Sequence, residues 1–96
     1  MSAKAEIAWK TREADGTTRQ VYAHRIGGEW VFYHRQRRFE RWQRIQYPSL
    51  EDWLCLLDGI QRRVQRRLLP PEIETRARKR IAELFPDAPG KASSVS

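Results

Sequence analysis

An α+β fold, in which a three- or four-stranded antiparallel meander (about 5–45) precedes a helical hairpin (about 49–69 and 71–85), follows from three features of this sequence. Two glycine-bearing turn signals, Asp15-Gly16 and Gly27-Gly28, separate runs rich in β-branched and aromatic residues. A long segment, Gln46 to Leu69, carries apolar side chains at three- and four-residue steps. A diproline, Pro70-Pro71, divides it from a second segment of the same periodicity.

The first strand is expected over Ala5 to Arg12, with Ile7, Trp9 and Thr11 on one side and Glu6, Ala8, Lys10 and Arg12 on the other. Asp15-Gly16 suits a two-residue type I′ loop into a second strand, Thr18 to Ile26. Gly27-Gly28 then turns the chain into Glu29 to Arg35, where Trp30, Val31, Phe32 and Tyr33 are consecutive strand formers. Two-residue loops set the register, pairing Trp9 with Tyr22 and Tyr22 with Tyr33. One face then carries Ile7, Trp9, Tyr22, Val31 and Tyr33; being more aromatic and less cationic, it is assigned to the core. The other carries Ala8, Lys10, Val21, Ala23, Arg25, Trp30, Phe32 and His34.

Between His34 and Ile45 a turn near Gln36-Arg37 would return Arg38 to Ile45 as a short fourth strand, Trp42 inward and Phe39 with Arg41 outward. The rival reading is an extended loop that buries only Phe39 and Trp42. Ser49 is placed as the N-cap of the long helix, with Glu51 and Asp52 against the positive end of its dipole. Its apolar stripe is read as Leu50, Trp53, Leu54, Leu57, Ile60, Val64 and Leu68. Pro71 fits the first turn of the second helix, whose apolar positions are Ile73, Ala77, Ile81, Leu84 and Phe85. Both helices are expected to pack on one sheet face. The reading is thus a single domain over 5–86, with disordered ends at 1–4 and 87–96.

Ninety-six residues, 40% hydrophobic and 32% charged, make a small globular protein with a small core. No apolar run has the eighteen residues of a membrane span, and the first residues have no signal-peptide pattern. The lone Cys55 excludes an internal disulfide, so a cytoplasmic location is expected by elimination. The net charge of +7 comes from fifteen Arg and only four Lys. The planar guanidinium suits phosphate and stacks on rings, which fits nucleic-acid contact. A GC-rich genome would enrich Arg as well.

Two basic clusters stand out. His34 to Arg44 interleaves five arginines with Phe39 and Trp42, a composition seen on surfaces that stack bases and hold phosphates. The plainer reading makes the two aromatics core anchors and the arginines a solvated rim. Arg62, Arg63, Arg66 and Arg67 end the long helix, where they could meet a nucleic-acid backbone or simply offset the helix dipole.

Catalytic signals are lacking. His24 and His34 fall on opposite faces, one Cys makes no zinc site, and Gly27-Gly28 lacks the spacing of a phosphate loop. The sequence therefore reads as a non-enzymatic binding domain without cofactor, metal, membrane or small-molecule substrate. Nucleic acid, RNA or DNA, is placed first as partner, with Arg25, Trp30, Phe32, Arg38, Arg41, Arg62 and Arg66 as candidate contacts. The alternative is a protein-interaction or homodimerisation module using exposed Trp30 and Phe32.

Overall fold

The computed structural model describes residues 6–87. The ends expected to be disordered, 1–4 and all but the first residue of 87–96, lie outside the described residues. The chain divides into two compact units, Met1–Pro48 and Ser49–Ser96.

The first unit is a four-stranded antiparallel meander: β1 (Glu6–Arg12), β2 (Thr18–Ile26), β3 (Glu29–Arg35) and the short β4 (Gln43–Ile45), in that spatial order. The β2–β3 turn is the expected one. Gly27 and Gly28 have φ of +59° and +85°, the conformation a two-residue type I′ loop demands, and Ile26 pairs with Glu29 across it. Tyr22 faces Tyr33 and Ala23 faces Phe32, as the sequence implies.

The β1–β2 turn is different. The Gly16 N–H donates to the Glu13 carbonyl at 2.9 Å, and the Glu13 N–H donates to the Thr17 carbonyl at 2.8 Å. Gly16, at φ +92°, therefore follows a one-turn bend and forms a bulge, so the loop holds three residues, Ala14 to Gly16. Asp15 fastens it by accepting from the Thr17 N–H (3.0 Å) and hydroxyl (2.7 Å). Trp9 consequently pairs with Val21, not Tyr22, and Ile7 with Ala23.

That one-residue difference reverses the assignment of faces. Cross-strand partners share a face, so Ile7 and Trp9 join Val21, Ala23 and Phe32. This is the buried face: Ile7, Val21, Ala23 and Phe32 are all at most 2% exposed, and Trp9 meets Phe32 edge-on at 6.0 Å. Arg25, Trp30 and His34 lie on it too, half-buried. Tyr22, Val31 and Tyr33, expected inside, are half-exposed on the opposite face. Phe39 belongs to neither face. It sits in the β3–β4 connection rather than in a fourth strand.

The second unit is a pair of helices, α1 (Leu50–Gln65) and α2 (Pro71–Leu84). Ser49 caps α1, its hydroxyl accepting from the Asp52 N–H at 3.2 Å, with Glu51 and Asp52 in the first turn as expected. The buried stripe is rotated from the expected one, running through Trp53, Leu56 and Ile60 and including Asp52. Leu54 and Leu68 are instead 46% and 64% exposed. Leu56 precedes Leu57 in a run where both neighbours are apolar, so hydrophobicity alone does not choose between them.

The helix also stops earlier than Leu69. Arg67 adopts φ +62°, its N–H donates to the Val64 carbonyl, and the Leu68 N–H donates to the Arg63 carbonyl at 2.7 Å. These bonds close a Schellman-type end four residues before the prolines. On α2 the buried residues are Ile73, Ala77 and Ile81, one every fourth position. Gln61 of α1 donates to Glu74 of α2 at 3.0 Å, and Arg78 pairs with the same carboxylate at 2.9 Å. The Arg78 bond, then the Gln61 bond, hold the Glu74 pKa below its ordinary value.

Candidate nucleic-acid interface

The half-exposed face of the sheet is laid out in cross-strand rows. Lys10, Gln20 and Arg35 form one row; Ala8, Tyr22, Tyr33 and Arg44 form the next; Glu6, His24 and Val31 form the third. Tyr22 and Tyr33 stack at 5.1 Å and 18°, because directly opposed aromatic residues on adjacent strands bring their rings into contact. His24 lies 6.0 Å from each of them. Burial against these neighbours raises the Tyr22 pKa above its ordinary value, and the charges of Tyr33 and Glu6 act in the same direction.

Trp42, just before β4, closes this cluster. Its ring meets Tyr22 edge-on at 4.7 Å, and the Arg35 guanidinium lies 4.3 Å from its centre. Arg35 is oriented in turn by its bond to Gln20, at 2.9 Å. Ala8 presents only a methyl group opposite the large Tyr22, and beside it opens a groove of about 320 Å³ lined by Ala8, Lys10, Gln20 and Trp42 together with Trp9 and Val21. A cation, an amide and an indole thus border one shallow concavity.

The Gln36–Trp42 connection adjoins this face at the β3 end. Arg37, Arg38, Phe39, Glu40 and Arg41 are all exposed. The connection is nevertheless held: the Glu40 carboxylate accepts from the backbone N–H groups of Gln36 (3.0 Å) and Arg37 (3.4 Å), while the Glu40 N–H donates to the Arg37 carbonyl. The single acid of the segment is spent on its backbone and leaves the arginine heads to solvent. Phe39, at the tip, is 94% exposed. Both faces of its ring are open.

Of the residues singled out from sequence, Arg38 and Arg41 are therefore exposed and flank Phe39. Phe32 is buried at 1% and cannot meet a ligand without opening the core. Arg25 and Trp30 are opposed to each other on the Phe32 face, away from the Tyr22–Tyr33 cluster. Arg62 and Arg66 belong to the helical unit, where Arg62 pairs with Asp58 at 2.9 Å and Arg66 is the C-cap. Sequence reasoning missed Tyr22 and Tyr33 as surface groups, because the register placed them inside. The β2–β3 pairing alone already joined Tyr22 to Tyr33; the missing signal was the bulge at Gly16.

Among the described residues, no three His, Cys, Asp or Glu side chains converge as a metal site requires. No helix among them is long and apolar enough to cross a membrane. No family model, characterised protein or solved structure matches the chain.

Proposed function

We propose that this protein is a nucleic-acid-binding module, for RNA or DNA, that works through the half-exposed sheet face and the Gln36–Trp42 connection. The observation that carries the reading is Phe39: a wholly exposed ring held by a fastened loop between Arg37, Arg38 and Arg41. Phe39 contributes no burial to the fold, and an open ring among guanidinium groups can stack an unpaired base while the cations hold its phosphates. Lys10, Arg35 and Arg44 extend the positive surface across the sheet, and the groove beside Ala8 offers space between Lys10 and Trp42. The formal net charge of +7 adds long-range attraction to any polyanion.

The module binds rather than catalyses in this reading, and it uses none of Arg25, Trp30 or Phe32. The test is fluorescence anisotropy with random single-stranded oligonucleotides across a salt series. Affinity should fall steeply with salt, as counterion release requires. Phe39→Ala should weaken binding about tenfold, in line with one lost stacking contact. Arg38→Glu with Arg41→Glu should abolish it. Equal binding by wild type and by the double variant would end the proposal, and selective binding of both to anionic vesicles would replace it with a lipid surface.

A further inference from the structure

We infer that β1 is a self-complementary edge strand through which two copies of this chain associate into one continuous eight-stranded sheet. Among the described residues β1 pairs with β2 alone, so its other side is the open edge of the meander. The direction of its backbone groups follows from one bond. The Glu13 N–H bonds to Thr17, and in an antiparallel ladder bonded pairs alternate with unbonded ones. Bonded pairs therefore recur at Thr11, Trp9 and Ile7, which turn their N–H and C=O groups toward β2. Glu6, Ala8, Lys10 and Arg12 turn theirs outward, and all four residues are exposed. An open edge of this kind is a template for another strand.

The sequence of the edge, Glu-Ile-Ala-Trp-Lys-Thr-Arg, selects a second copy as the occupant. Antiparallel pairing about a two-fold axis through Trp9 sets Glu6 against Arg12 of the second copy, and Arg12 against its Glu6. Ala8 then faces Lys10 twice, and Trp9 faces itself. This register satisfies the outward groups of all four exposed residues, while a shift of two residues in the pairing leaves one of them unpaired. Opposite charges meet at both ends, and like charges are directly opposed nowhere. Neither Glu6 nor Arg12 enters a salt bridge among the described residues. An axis perpendicular to the sheet keeps each face on its own side, so the two Tyr22–Tyr33 faces lie side by side.

The test is sedimentation equilibrium on nuclease-treated protein, so that it stands apart from nucleic-acid binding. Wild type should show a concentration-dependent monomer–dimer equilibrium, weak because a single strand pair buries less than a standard interface. Ala8→Pro removes an outward N–H that β2 does not use. It should give a monomer with unchanged circular dichroism and melting temperature. Arg12→Glu should weaken association about tenfold or more, and Glu6→Arg with Arg12→Glu should restore it. A wild-type monomer at every accessible concentration would overturn the inference. So would a dimer that survives Ala8→Pro, or a charge swap no better than Arg12→Glu alone.

Discussion

The two hairpins of the meander carry similar turn signals and solve the turn differently. Gly27-Gly28 supplies two consecutive positive φ angles and closes a two-residue loop. Asp15-Gly16 supplies one: Gly16 is left-handed while Asp15 acts through its carboxylate on Thr17. The additional loop residue moves β1 by one position against β2, which decides which of two aromatic faces is core. A tight-turn dipeptide thus reports where a strand reverses more reliably than it reports the register.

The two faces of the meander differ most at two adjacent residues of β3. Phe32→Ala, on the buried face, should cost about 3–5 kcal/mol in chemical denaturation. Tyr33→Ala, its neighbour on the half-exposed face, should cost about 1 kcal/mol. A larger cost at Tyr33 than at Phe32 would return the core to the face that the two-residue reading of Asp15-Gly16 implies.

Strain at the turns gives the next largest effect. Gly28→Val forces a β-branched residue to φ +85° and should lower stability by about 1–2 kcal/mol. Deleting Ala14, by contrast, leaves Asp15-Gly16 as a two-residue loop between Glu13 and Thr17, the same flanking pair. The register of β1 then survives, and the change should stay within about 1 kcal/mol. Nuclear Overhauser contacts between Trp9 and Val21 would persist; contacts from Trp9 to Tyr22 in their place would refute the bulge geometry.

A pH titration of wild type against Asp15→Asn isolates the first turn from Glu74, whose pKa is also depressed. The Asp15 pKa lies below its ordinary value, chiefly through the Thr17 backbone N–H and then its hydroxyl. A carboxylate depressed in the fold stabilises it above the ordinary Asp range, and that contribution is lost as pH falls through the folded value. Asp15→Asn should therefore lower the melting temperature slightly near neutrality and flatten its decline in acid. The turn of the second hairpin, Gly27-Gly28, holds no side chain to titrate.

The smallest effect lies outside the sheet, where Arg67 takes the positive φ that glycine supplies in both turns. Arg67→Gly should raise the stability of the helical unit by up to about 1 kcal/mol, by relieving the left-handed strain of a side chain.

Much of this architecture was legible because local chemistry dictates it. Gly27-Gly28 admits few alternatives, Ser49 before Glu51 and Asp52 marks a helix start, and Pro71 sits in the first turn of α2 as a residue without an N–H can. Where the sequence misled, two local options were nearly equal. Leu56 and Leu57 compete for one stripe, and Arg66-Arg67-Leu68 continues the helical composition although the backbone has already turned away. For Phe39 the sequence supports an outward place on a fourth strand, with a buried position as the rival. It is outward, but on a loop, and Glu40 bonding back to Gln36 and Arg37 shapes that loop.

The sequence by itself determined the order of elements, the β2–β3 register and the excess of cations beside aromatic residues. Tertiary structure alone decided which face of the meander is core and which rings reach solvent. The physical reason is the period of a strand. Side chains alternate every residue, so a single bulged residue at Gly16 exchanges two faces that are almost equally aromatic, and no local preference along β1 can tell them apart.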